Sequence, residues 1–178
     1  MILSEKNHIK AIKALTDSNQ INIAYDIISK TLSEGNKILF CGNGGSAADS
    51  NHMAAEFVGR FEKERKPLNA ISLSSNISLI TSIANDFGFE YIFSRQIEAI
   101  GNSGDVLIAI STSGKSKNII EAINLSEKKQ LNVIFITGNH NIEINSPKIH
   151  MLQVKSRNTA TIQEVYMYLL HNFVRNIE

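Results

Sequence analysis

Near its start the chain carries apolar residues at helical spacing, first Ile9, Ile12 and Leu15, then Ile21, Ile23, Ala24, Ile27, Ile28 and Leu32, with a polar stretch over 16–20 between them. The pattern predicts two helices, the second stopped by Gly35 as its C-terminal cap. The period then shortens. Residues 37–41 (KILFC) form a β-rich run that enters Gly42-Asn43-Gly44-Gly45 and then another helical pattern. The same rhythm returns at 69–73 (NAISL) before a helix from about Ser75, and at 105–110 (DVLIAI) before a helix from about Ser116. It returns again at 132–137 (NVIFIT) before a loop, and a last strand over 149–154 precedes a helix over 159–176. Strands that alternate with helices dictate right-handed crossovers and a parallel sheet covered on both faces. The expected fold is therefore α/β, a three-layer αβα sandwich whose parallel sheet has five strands in flavodoxin-like order, preceded by two N-terminal helices. Only Pro67 and Pro147 punctuate the chain, and no linker is visible, so residues 1–178 read as one domain, 1–35 as the N-terminal helices and 36–178 as the sheet core with its last helix.

Charge narrows the classes of partner. Lys+Arg 18 against Asp+Glu 17 leave a net charge of +1, too little for a long-range field that would draw in nucleic acid or an anionic membrane, so neither is expected as a partner. A small anion would have to be caught locally. Cys41 is the only cysteine, which suits a reducing compartment, and it reads as a small buried hydrophobe. No stretch approaches ~18 uninterrupted apolar residues, and residues 1–10 lack the charged start and apolar middle of a signal peptide. The expected location is the cytoplasm.

In open parallel sheets, ligands lie beyond the carboxyl ends of the strands, where loops enter helices. Two such loops stand out. In Asn43-Gly44-Gly45-Ser46 the glycines let backbone N–H groups approach an oxyanion at a helix start, and Ser46 with Asp49 fits a capping box. Alone, this is equally a glycine-rich turn with a capping serine. The second loop, Ser111-Thr112-Ser113-Gly114-Lys115-Ser116, offers four hydroxyls, exposed amides and a helix N-terminus, which together satisfy phosphate oxygens without fixed positive charge. Neither loop matches GxxxxGK[ST] or GxGxxG, so a phosphate on a sugar fits better than a nucleotide.

On the helix after Ser46, His52 and Glu56 are one i,i+4 step apart and share a face, with Asp49 one turn earlier. Met53, Ala54, Phe57, Val58 and Phe61 mark the face expected to pack on the sheet. A His/Glu pair at this spacing is usually a solvated surface pair, and its nearness to a phosphate loop is what favours chemistry. The last helix carries Gln163 and His171 among apolar residues. His8, His140 and His150 have no comparable context and read as structural.

Taken in order, CGNGGSAADSNHMAAEFVGRF, SIANDFGFEYIFSRQIEA, GDVLIAISTSGKSKNIIEAI and TIQEVYMYLLH make the chain closely resemble the phosphoheptose isomerases of the SIS (sugar isomerase) superfamily. The resemblance implies an isomerase that interconverts D-sedoheptulose 7-phosphate and D-glycero-D-manno-heptose 7-phosphate on the way to nucleotide-activated heptose, ADP- or GDP-linked, for lipopolysaccharide, capsule or another surface polysaccharide. It also implies a homotetramer with active sites between subunits, the helices of 1–35 serving oligomerisation, and one zinc ion per subunit. Carried over by position, Asn43, Gly44, Ser46, Ser111, Thr112, Ser113 and Ser116 become the substrate and phosphate shell, with Asp49, Arg60, Asn85 and Asp86 further polar positions near the substrate. His52, Glu56, Gln163 and His171 become the metal-binding set, with Gln163 also touching substrate, Glu56 the base and His171 its acid partner. The chain departs from its relatives at Thr161, where they often have arginine, and at Tyr166, where many have histidine.

The implied chemistry is coherent with the residues. Moving a carbonyl between C1 and C2 takes a proton from one carbon, holds an enediol and returns a proton to the other, so a carboxylate and an acid must flank the substrate. His, Glu, Gln and His are N and O donors compatible with zinc, although a carboxylate bound to metal is a weaker base. The rival reading is a non-catalytic SIS protein that binds a sugar phosphate or the DnaA replication initiator, which would need the loops but not Glu56 with His171. Gln163 and His171 are separated by about 12 Å of helix axis, which suggests that the last helix lies in a subunit interface and gives the two residues to different sites.

Overall fold

A computed structural model describes residues 4–16, 18–142 and 146–178 of the chain. Asp17, inside the polar stretch between the first two helices, and residues 1–3 of the segment tested for a signal peptide lie outside the described residues. The two helical periodicities fold as α1 (Ser4–Thr16) and α2 (Gln20–Ser33). Gly35 ends α2 as expected: at φ +80° it lets its own N–H reach Leu32 O at 3.1 Å and the Asn36 N–H reach Thr31 O at 3.0 Å, the paired bonds of a Schellman cap.

The following elements are β1 (Ile38–Gly42), α3 (Gly45–Val58), β2 (Ala70–Ser72), α4 (Ile77–Asp86), a 3₁₀ turn (Phe89–Tyr91), α5 (Ser94–Ile100) and β3 (Val106–Ser111). After them come α6 (Lys117–Lys128), β4 (Asn132–Thr137), β5 (Ile149–Gln153) and α7 (Thr159–Ile177). All strand pairs are parallel, in the order β2-β1-β3-β4-β5, which is the expected flavodoxin-like arrangement. Alternate strand residues separate two cores. Phe40, Ile108, Ile110, Ile134, Ile136 and Leu152 pack with Ile28 of α2, Met53 and Phe57 of α3, and Val165 and Leu169 of α7. Leu39, Cys41, Leu107, Ala109 and Phe135 pack on the opposite face with Ile83, Ile97, Ile119 and Ile123. Both faces of β1 and β3 are buried, which is why these strands are continuous apolar runs rather than alternating ones.

Three expectations need correction. The helix expected from about Ser75 is α4, but a 3₁₀ turn and α5, which were not expected, follow it before β3. Asn76 starts α4 by accepting the Leu79 N–H at 3.1 Å, and Gly88 at φ +113° turns the chain out of the helix in a conformation a side chain disfavours. The strand expected over 105–110 starts one residue later, because the buried Asp105 carboxylate turns back to accept from the backbone of Lys37 and Asn102 and from Lys37 Nζ. Val58 does not pack on the sheet: it is 44% exposed at the last position of α3, and Phe61 lies beyond the helix altogether. Among the described residues, no helix is long and apolar enough to cross a membrane.

Candidate active site

The carboxyl ends of the paired central strands β1 and β3 deliver the two loops side by side. Gly42 must be glycine, since a Cβ there would lie 2.5 Å from Ser46 O. Gly44, at φ +55°, is the N-cap of α3, and no side chain caps that helix. The expected capping box is therefore absent. Ser46 sits inside the first turn instead, buried, with its Oγ 2.9 Å from the Tyr166 hydroxyl, and Tyr166 donates to Asp49 Oδ2 at 2.5 Å. The tertiary partner Tyr166 has taken both side chains that would have closed the box. Burial and the Asp49 carboxylate push the Tyr166 hydroxyl's pKa up, so it stays a donor.

Asn43 is held by Asn118 through two reciprocal amide hydrogen bonds of 2.8 Å, which tie the first loop to α6. In the second loop Ser111 Oγ is 3.1 Å from Ser116 Oγ, and Ser113 Oγ accepts from the Lys115 N–H at 3.2 Å. Gly114 turns at φ +68°, and Thr112 accepts the Gly138 N–H through its carbonyl at 3.1 Å. Ser116 is the N-cap of α6 but makes no side-chain capping bond. Both α3 and α6 thus begin with N–H groups that lack a side-chain acceptor, directed at the same end of the sheet, an arrangement suited to an oxyanion.

Helices α3 and α7 pack side by side and run in the same direction, since Tyr166 meets Ser46 and Asp49 while His171 meets His52 one turn and more further along. His52 Nε2 is 3.2 Å from Glu56 Oε1, and the His52 and His171 rings meet edge-on with centroids 5.1 Å apart. Phe61 stacks on the other side of His171 at 5.2 Å and 10°. His52 is exposed, whereas Glu56 and His171 are half-buried. Desolvation, and next the neighbouring His52, hold the His171 pKa below its ordinary value against the opposing pull of Glu56. Gln163 lies at the opposite end of the seam, where its Nε2 fills the space that a Cβ on Gly45 would occupy.

One chain therefore brings His52, Glu56 and His171 together without a second subunit, and it leaves Gln163 beside the first loop. Arg60, just past α3, is exposed. Asn85 and Asp86 sit at the exposed end of α4, where the Asn85 amide donates to Asp86 at 2.8 Å, and they make no hydrogen bond to the other expected site residues. His8 pairs with Glu164 and His150 Nε2 with Gln20 O, and buried Cys41 has its thiol pKa pushed up by desolvation. The kinds of donor expected for zinc are present, but among the described residues no three His, Cys, Asp or Glu side chains are grouped so that they could hold a metal ion. As placed, the set does not form a metal site. Sequence reasoning passed over Asn118, Tyr166 as a partner of two site residues, and the pair Arg65 and Glu178 described below. Tyr166 alone had a signal, as a large polar-tipped residue on the buried face of the last helix.

An αβα sandwich with glycine- and hydroxyl-rich loops at the ends of its central strands places the protein among sugar-phosphate-binding SIS proteins, and the SIS domain family model matches residues 5–138. Within that class the chain belongs to the phosphoheptose isomerases. It is 44% identical to the phosphoheptose isomerase of Campylobacter concisus over 89% of this chain and 84% of that one. The structure of the phosphoheptose isomerase from Neisseria gonorrhoeae superposes with a TM-score of 0.88 at 36% identity, covering 96% of this chain and 92% of that one. The enzyme from Francisella tularensis gives 0.90 at 33% identity, covering 97% and 93%.

Proposed function

We propose that the protein interconverts D-sedoheptulose 7-phosphate and D-glycero-D-manno-heptose 7-phosphate through an enediol, supplying heptose for ADP- or GDP-heptose and surface polysaccharide. The observation that carries this reading is the convergence of Glu56 and His171 from two helices whose seam leads to the phosphate loops, in a chain with the family membership above. The phosphate is held by the amides and hydroxyls of 111–116 and by the start of α3, which leaves the carbonyl end of the sugar to the α3–α7 seam. Glu56 takes a proton from C1 of the ketose, exchanges it with solvent while the enediol is held, and delivers a proton to C2. His171 donates a proton to O2 as the enediol forms and accepts one from O1 as the aldehyde forms. Its lowered pKa keeps the imidazole neutral near neutral pH, so that one nitrogen donates while the other accepts.

Asn85 and Asp86 enter the reading through assembly. The helix they end also exposes Ile77 and Leu79, Phe87 and Phe89 just after it are exposed, and so are Ile9 and Ile23 of the N-terminal helices. Apolar surface of this kind is what a subunit interface covers. The protein is accordingly read as a cytoplasmic homotetramer in which the end of α4 completes a neighbour's site. One zinc ion per subunit, held by His52, Glu56, Gln163 and His171 as the resemblance implies, requires Gln163, at the other end of the seam, to reach the ion from a second subunit. Metal content of the purified protein, with and without His52→Ala, measures this directly.

The test of the activity is to incubate the pure protein with sedoheptulose 7-phosphate in deuterated water and follow the sugar by NMR. Aldose carrying deuterium at C2 is the expected product. Unchanged ketose would remove the assignment.

A further inference from the structure

Between α3 and β2 the chain crosses residues 59–69 with no helix or strand to satisfy its backbone. Three successive N–H groups there, of Phe61, Glu62 and Lys63, all donate to the side-chain carboxylate of Glu178, at 2.8, 2.9 and 3.0 Å. Arg65 Nε adds a fourth bond at 3.2 Å, and the Glu178 side chain is 0% exposed. The other end of the same guanidinium is bound to α3. Arg65 Nη2 donates to Glu56 O at 2.7 Å and Nη1 to Phe57 O at 2.9 Å, two of the last carbonyls of the helix, which have no partner of their own within it. A second contact reaches the acid. Phe61, whose N–H is held by Glu178, lays its ring on His171, and Arg175 is bonded to Glu62 and stands 5.4 Å over the Phe61 ring.

We propose that Glu178 is a positioning residue: through Arg65 and residues 61–63 it clamps the segment after α3 so that the turn carrying Glu56 and the ring lying on His171 are held in one arrangement. The inference rests on the isomerase reading above, since it assigns Glu56 and His171 their roles. Neither Glu178 nor Arg65 hydrogen-bonds to the phosphate loops. A buried charge pair is a weak source of stability compared with apolar packing, but it tolerates only one geometry, which is the property a catalytic pair requires. The anion persists at working pH. Desolvation pushes its pKa up, but the three N–H donors and Arg65 outweigh this and hold it at about 2.

The test compares wild type with Glu178→Gln, which keeps the volume and loses the charge. The expected result is a kcat lower by roughly tenfold or more with a KM within about twofold, because positioning is lost while uniform binding is kept. The thermal shift produced by inorganic phosphate should be unchanged, since that anion uses the loops alone. Glu178→Asp should recover part of the rate. Two further variants decide the matter if Glu178→Gln does not fold. Arg65→Lys cannot bridge two carbonyls and a carboxylate at once, and Phe61→Leu keeps the clamp but removes the ring from His171. Both should lower kcat with the phosphate shift intact. A folded Glu178→Gln protein with wild-type kcat, or wild-type kcat in both of the other variants, overturns the proposal. So does loss of phosphate binding in step with rate, which would mean general loosening. Wild-type protein without activity on sedoheptulose 7-phosphate would instead sink the isomerase reading, and the roles of Glu56 and His171 with it.

Discussion

Glu56 and His171 occupy different kinds of surroundings, as the roles proposed for them require. Glu56 is half-buried, with one carboxylate oxygen 3.2 Å from His52 Nε2. His171 is desolvated between His52 and the Phe61 ring, which favours the neutral imidazole. Replacing Glu56 with Gln keeps the shape and removes the base, so kcat should fall roughly 10²- to 10⁴-fold with little change in substrate affinity, as read by steady-state kinetics and a binding titration. Equal losses in rate and affinity would assign Glu56 to substrate holding. Glu178 gives a second prediction, for stability against pH. Its folded pKa lies at about 2, below the ordinary 4.5, so the unfolded chain takes up a proton first as the pH falls. Its contribution is complete above pH 4.5, shrinks between 4.5 and about 2, and is gone below that. Urea unfolding across this window should show Glu178→Gln less stable at neutral pH and less sensitive to acid than wild type. Parallel curves would show that the carboxylate is not clamped.

At the scale of elements, the parallel seam of α3 and α7 organises the site, because both helices start from the carboxyl edge of the sheet and meet rung by rung. The Gly42 turn fixes where α3 begins. Gly42→Ala places a Cβ 2.5 Å from backbone Ser46 O, so the first turn of α3 must move, and thermal unfolding should show a loss of roughly 1–3 kcal/mol. An unchanged melting temperature would mean that the turn relaxes freely. Periodicity made most of these elements legible. The run 132–137 is β4 as read, and α7 ends within one residue of its expected limit. It found the start of α4 but not the break at Gly88 or the separate α5, because periodicity reports which face is apolar and not whether the helix is continuous.

At the scale of the whole molecule, one chain brings His52, Glu56 and His171 together and leaves Asn85 and Asp86 apart from them. Mixing Glu56→Gln with His171→Ala subunits should therefore leave activity no higher than that of the parents, because both groups act within one chain. Mixing Glu56→Gln with Asp86→Ala should restore turnover if α4 completes a neighbour's site, and dead mixed oligomers of the second kind would confine Asp86 to its own subunit. The sequence alone determined the layer order, the parallel sheet, the two anion loops and the candidate residues, because hydrophobic period, glycine placement and helix starts are local properties of the chain. Tertiary structure alone decided which candidates meet. Tyr166 draws Ser46 and Asp49 away from the helix cap, His171 joins His52 and Glu56, and Glu178 binds a segment more than a hundred residues earlier in the chain. These pairings depend on how α7 lies against α3, which is set by packing on the sheet, and no spacing within either helix encodes it.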